Sequence, residues 1–287
     1  MTNVDVLVIP GIEVTLPEGH ANILGLQDWV DWRVGHAGLT MEEVLRTAQQ
    51  RGSVTSVTHP LLAPWDWRFA DVPLEVVDCL ELCNDPSYPA NDRASPAALA
   101  LWSACLNAGY RITGVGGSDA YHLEPGRTYR GVPERIGQPS TYVYARKLSA
   151  QAILEGTRAG RAYVSLGPRL AFSATCDGHT FSIGDEIEPG AGPVHFEATA
   201  SGIGPDHHLH LIRCGESVAF VKATSPQCKL IHTVTEKDAP GIWYRLDVQD
   251  DSGSFVAATN PIFIGRVQPQ PLTFGEAVDM AGVTPQG

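Results

Sequence analysis

Residues 8–26 read VIPGIEVTLPEGHANILGL. An apolar, β-branched run, VDVLVIPGIEV over 4–14, has the continuous hydrophobicity of a strand buried on both faces, and it ends at Glu13. A short loop then brings Gly19 and His20 to the start of a second apolar run, HANILGL. A carboxylate and an imidazole at neighbouring strand ends are the donor types of a metal site, so the fold and the function both turn on what the rest of the chain places beside them.

Outward from this stretch, strand-like and helix-like patterns alternate up to about residue 167. LTMEEVLRTAQQRG (39–52) reads as a helix with Thr40 as its cap, Glu43 three residues on and Gly52 at its close. SVTSVTHP (53–60) is a strand ending at His59, and LEVVDCLELCN (74–84) is another. SPAALALWSACLNAG (95–109) is a helix with Ser95 as cap and Pro96 in its first turn. YRITGVGGSDAYH (110–122) returns to a strand, and SAQAILEGTRAG (149–160) is a last helix. This rhythm predicts an α/β domain with parallel strands and outer helices, a barrel or a wound sheet. After residue 168 the chain changes to short alternating runs about ten residues apart, the pattern of a β-sandwich over 168–266. The Pro-, Gly- and Gln-rich residues 267–287 read as a loose tail.

Composition narrows the function classes. The chain has 287 residues and a formal net charge of −12 with no basic run, which argues against a nucleic-acid or anionic membrane surface. No apolar run reaches the ~18 residues of a membrane span, and the N-terminus lacks the basic and cleavage-site features of a signal peptide. The six cysteines form no C-x-x-C pair and read as reduced thiols of a cytoplasmic protein.

In α/β folds functional residues gather at the C-terminal ends of strands. Glu13, His20, His59, Asp119 and His122 all fall at that end of the inferred sheet. All are oxygen or imidazole donors, a set that suits Mn, Fe or Zn. Asn22, Glu81, Asn84 and Arg127 lie close enough in the pattern to support these ligands or to touch a substrate, with Arg130 in the same loop as Arg127. The run Asp206-His207-His208-Leu209-His210 reads as a solvent-facing strand, His208 and His210 on one side and Leu209 and Leu211 on the other. GGSD lacks the spacing of a serine nucleophile elbow, and no Gly-rich phosphate loop is present.

The ordered set PGIEVT…GHANILGL, THP and GGSDAYH, with a β-rich segment ending in ATNPIFIG, resembles the PHP (polymerase and histidinol phosphatase) family over roughly residues 5–265. Its carbaryl-hydrolase-like (CehA/McbA) branch is the most similar. The resemblance implies a distorted (β/α)7 barrel holding two or three divalent metals, followed by the sandwich. It further implies hydrolysis of phosphoesters or carbamate-type esters of a small-molecule substrate by metal-activated water. It assigns Glu13 as a bridging ligand, His20 and His59 to the second metal, Asp119 to the first and His122 to the third. The family's H-x-H strand and D-H-N strand end are missing here. The expected domain over 1–167 is therefore an incomplete barrel, open at an edge where a second copy or a separate N-terminal segment would dock. With the first and third sites short of ligands, the chain is expected to be a poor enzyme. The contrasting reading is a degenerate, non-catalytic binding module that retains one metal site.

Overall fold

The computed structural model describes residues 6–121, 128–129, 132–133, 135–236 and 240–286. The first layer is a five-stranded sheet in the order β1 (Gly11–Leu16), β2 (Gly19–Leu24), β3 (Val54–Thr58), β4 (Cys79–Asn84), β5 (Thr113–Gly117). Pro17-Glu18 joins β1 to β2 as a tight hairpin, Leu16 facing Gly19. So short a connection forces antiparallel pairing. β2 and β3 are also antiparallel, and only β3-β4-β5 run parallel. Helix α1 (Met41–Gln50) carries the predicted capping box, with the Thr40 hydroxyl accepting from the Glu43 amide and the Glu43 carboxylate accepting from the Thr40 amide. Helix α2 (Asn91–Asn107) begins four residues before the expected Ser95 cap, with Pro96 inside it. Helix α3 (Ala150–Arg158) is capped by Ser149 and sets Leu154 against Val54 and Cys79.

The expected incomplete (β/α)7 barrel is not what forms. Strand accounts for 38% of the described residues and helix for 19%, and the first sheet is open. Two features of the sequence cause this. The β1–β2 hairpin replaces a βα crossover, and the outer edge of β5 is closed by side chains. Asn260 accepts from the Gly114 amide (2.8 Å) and donates to the Gly114 carbonyl (2.9 Å). Thr141 does the same at Gly116 (2.8 and 2.7 Å). The backbone groups that a sixth strand would use are thereby satisfied. The run 4–14 is likewise not a doubly buried strand. Its described part starts the strand only at Gly11, Val14 is buried, and Val6 and Val8 are each 79% exposed, as befits the sheet's edge.

Beyond β5 lie the short pair β6 (Thr128–Tyr129) and β7 (Val132–Pro133), then β8 (Ser140–Val143), β9 (Ala162–Ser165), β10 (Arg169–Cys176), β11 (His179–Ser182), β12 (Glu186–Ile187) and β13 (Val194–Ser201). β14 (His207–Arg213), β15 (Glu216–Lys222), β16 (Gln227–Val234), β17 (Ile242–Asp250), β18 (Phe255–Thr259) and β19 (Ile262–Ile264) complete them. One sheet has the order β11-β10-β13-β16; the other runs β12-β19-β17-β18-β9-β8, with β14 on β17 and β15 on β14. The two close over a core that includes Phe172, Phe196, Tyr244 and Leu246, the Phe196 and Tyr244 rings 4.4 Å apart. This is the sandwich-like arrangement expected, but its larger sheet takes in β8 and β9, from before residue 168. A second core holds Trp102 and Leu82 of the first layer together with Trp243, Phe255 and Phe263 of the sandwich, so the two parts share one hydrophobic interior.

The segment after residue 267 is not loose. Helix α4 (Phe274–Ala281) has its own capping box from Thr273 and Glu276, and Phe274 is buried near Trp67, their rings 5.9 Å apart. Gln286 then bonds the backbone of Leu61 (2.7 Å) and Ala63 (2.8 Å), just past His59. All six cysteines are free thiols. No helix of the described residues is long and apolar enough to cross a membrane.

Candidate metal centre

Because β3, β4 and β5 are parallel and β2 runs against them, the start of β2 and the ends of the other strands meet at one edge of the sheet. Glu13 lies within β1 rather than at its end, opposite Asn22. His20 lies two residues before Asn22 and projects to the same face. Gly19 makes this approach possible: its φ is +134°, and a Cβ there would stand 2.9 Å from the Trp67 Cα. His59 follows β3 with a φ of +33°, a left-handed backbone unusual for a residue with a side chain.

Three of the predicted ligands converge. The His20 Nδ1 stands 3.0 Å from the Glu13 Oε1 and 3.1 Å from the His59 Nε2, and the three residues offer donor atoms all within 4.8 Å of one another. Ligand atoms around one ion at bond lengths of roughly 2.0–2.2 Å are roughly 3–3.5 Å apart, so the spacing fits a shared cation. The imidazole rings meet edge to face at 4.7 Å. Both histidines are buried while Glu13 keeps its side chain 30% exposed, so the cluster opens to solvent on the carboxylate side. The hydrogen bond with His20 holds the Glu13 carboxyl below its ordinary range, against the opposing effect of burial. Burial, reinforced by the neighbouring His20, brings His59 down to about 4, which keeps its imidazole neutral and able to ligate at pH 7. The other ring nitrogen, Nδ1, is buried without a hydrogen bond among the described residues.

Glu81 and Asn84 stand behind this cluster. The His59 amide donates to the Glu81 Oε2 at 2.6 Å, and the Asn84 Nδ2 donates to the same oxygen at 3.2 Å. Glu81 thus clasps the strained turn that presents His59. Its burial pushes the carboxyl up to about 8. Asp119 comes off β5 with a φ of +44° on the same side, near enough for the Glu13 charge and its own burial to raise its pKa, burial being the larger effect. Asn84 and Tyr121 lie near enough to its carboxylate to act in the opposite direction. Tyr121 is a neighbour that sequence reasoning missed: a tyrosine two residues past an acid carries no signal of its own. Asn22 is half-buried beside Glu13. His122 and Arg127 lie outside the described residues, as does Arg130. In the sandwich, Leu209 and Leu211 are buried. His208 and His210 project to the other face, where they bond Asp251 (2.6 Å) and Ser217 (3.0 Å).

No family model, no curated protein and no solved structure matches this chain.

Proposed function

We propose that Glu13, His20 and His59 hold a divalent ion of the Mn, Fe or Zn type and that the site hydrolyses an ester-type bond, a phosphoester or a carbamate ester, in a small-molecule substrate. The observation that carries this is the convergence of one carboxylate and two imidazoles at one end of the sheet. Three protein ligands leave coordination positions for water and substrate, the arrangement of catalytic rather than structural sites. A bound divalent ion lowers the pKa of water to roughly 7 and polarises the scissile oxygen. The chain's own residues do the rest. Glu81 fixes the turn that aims His59. Asp119, across the mouth, is placed to accept a proton or to complete the ligand set, and Tyr121 orients its carboxylate. The resemblance of GIEV, GHANILGL, THP and GGSD to the PHP family's CehA/McbA branch supports the same chemistry.

The test is metal analysis of the chelated and reloaded protein, followed by assay of aryl phosphoesters and aryl carbamates. Loading near one ion per chain, lost in His20→Ala and His59→Ala together with turnover, is the expected result. A second reading has its own observation: this is the one cluster of its kind among the described residues. A non-catalytic module with a single bound ion would load metal in the same way and show no metal-dependent turnover.

A further inference from the structure

At the opposite end of β5 from Asp119, a cleft of about 270 Å³ opens on the seam between the first layer and the sandwich. Thr113 lines it at the start of the strand, so β5 alone puts more than ~13 Å between this cleft and the candidate metal centre. Three arginines are among its lining residues: Arg111, Arg158 and Arg266. The chain has only 20 basic residues against 32 acidic ones, so three arginines around one cleft are a local reversal of its charge.

Their partners account for only part of that charge. Arg111 pairs with Glu186 at 2.6 Å and lies over the Phe263 ring at 4.2 Å. Arg158 donates to the Gly52 carbonyl, a neutral acceptor. Neither Arg158 nor Arg266 forms a salt bridge among the described residues. The end of helix α3 does not need these cations to satisfy its carbonyls. Glu155 and Thr157 accept from the Ala159 amide, Thr157 also accepts from the Thr113 hydroxyl, and Gly156 accepts from the Arg161 amide. Two of the arginines that line the cleft therefore carry no carboxylate partner among the described residues. Gly184 keeps its wall thin: a Cβ there would meet the Ala159 carbonyl at 2.3 Å.

We infer that this seam binds a phosphate group, free or carried on a small ester, between Arg158 and Arg266, with Arg111 closing the third side. Guanidinium forks match phosphate oxygens in pairs, and charge-assisted bonds of this kind are among the strongest polar contacts. The volume is several times the roughly 30 Å³ share of one water, enough for the phosphate with a small organic group against Phe263. Because the arginines come from both parts of the molecule, the ligand would tie the sandwich to the layer that carries the metal site.

The test is calorimetric titration of the full chain, held in chelator, with inorganic phosphate and with glycerol 3-phosphate at low ionic strength. Chelation separates this site from the metal centre, so the proposal and the hydrolase reading stand or fall separately. Saturable binding is expected for the parent and for His59→Ala. It should weaken roughly tenfold or more in the Arg158→Gln/Arg266→Gln double variant. Arg266 is an exposed side chain, so Arg266→Gln alone preserves the fold and should weaken binding several-fold even if the double variant is unstable. Tighter binding of the ester would identify it as the ligand form, and tighter binding of free phosphate would identify the ion; either supports the site. No saturable binding to the chelated parent, or equal binding by Arg266→Gln, overturns the proposal.

Discussion

Two buried polar clusters in this molecule are built on opposite terms. Around Arg245, 3% exposed, its donors are taken up. The guanidinium forks onto Asp247 at 2.8 and 3.0 Å, donates to the Ser103 hydroxyl at 2.9 Å, and lies between Trp102 and Trp243 at 4.7 and 5.2 Å from the ring centres. Around His59 the groups are less well satisfied: Nδ1 lacks a well-formed hydrogen bond among the described residues, Nε2 faces another imidazole, and the backbone is left-handed. The first cluster joins α2 to β17 and asks nothing of solvent or ligand. The second is costly as it stands and gains from a cation at its centre. Full satisfaction marks a structural joint, and partial satisfaction at a strained turn marks a site.

The comparison breaks most visibly at the joint. Asp247→Ala leaves a buried guanidinium without its carboxylate and should cost about 3–5 kcal/mol of unfolding free energy, read by denaturant titration. Its metal affinity, measured on the folded protein, should match the parent's. A loss under 1 kcal/mol would mean that the pair is solvated in solution.

At the metal cluster the effects should be reversed. Glu13→Gln keeps the shape and removes the charge. It should weaken binding of Mn or Zn at least roughly hundredfold by competition with a chromophoric chelator, a difference of about 2.7 kcal/mol. The metal-free melting temperature should barely move, because the Glu13 side chain is partly open to solvent. A large drop in metal-free stability would make Glu13 a structural partner of His20 instead.

The pH response sharpens the contrast. Burial raises Glu81 to about 8 in the folded chain, above its ordinary value of 4.5. The folded state therefore holds a proton that the unfolded state has released, and stability falls as pH rises through 4.5 to 8. His59 works in the other direction: its folded value of about 4 lies below the ordinary 6.5, so its contribution is present above 6.5 and lost as pH falls towards 4. The two oppose each other below pH 6.5, leaving Glu81 alone above it. Metal-free parent should lose roughly 1–2 kcal/mol between pH 6.5 and 8, relative to Glu81→Gln. Parallel pH profiles for the two would remove Glu81 from this account.

The smallest effect concerns the C-terminal helix. Thr273→Ala removes an N-cap and should cost about 1 kcal/mol. Because Gln286 bonds the Leu61–Ala63 backbone, hydrogen exchange there should rise in the same variant. Unchanged exchange would show that the segment does not brace the His59 turn.

Much of this was legible in residue order. The capping box at Thr40-x-x-Glu43 places α1 at its true start, and the same pattern at Thr273-x-x-Glu276 marks α4 within a stretch whose Pro, Gly and Gln content points to a loose tail. Strand-end position singled out His59 and Asp119 because ends of parallel strands share an edge whatever closes the sheet, whereas Glu13, within β1, and His20, at the start of β2, reach that edge through the antiparallel hairpin. The expected barrel does not form; periodicity reports which faces are apolar and is silent about strand direction. Pro17-Glu18, too short for a crossover, held the contrary signal.

By itself, then, the sequence determined α1 with its capping box, the run of short strands after residue 168 and the donor types that meet at the metal cluster. These depend on neighbours a few residues apart, through backbone preference and side-chain period. Tertiary structure alone decided that Asn260 and Thr141 would close the edge of β5, that Arg245 would find Trp102 and Ser103 more than a hundred residues away, and that three arginines would meet on one seam. Such contacts are selected by the packing of whole layers against one another, and no local pattern encodes which distant partner a side chain will meet.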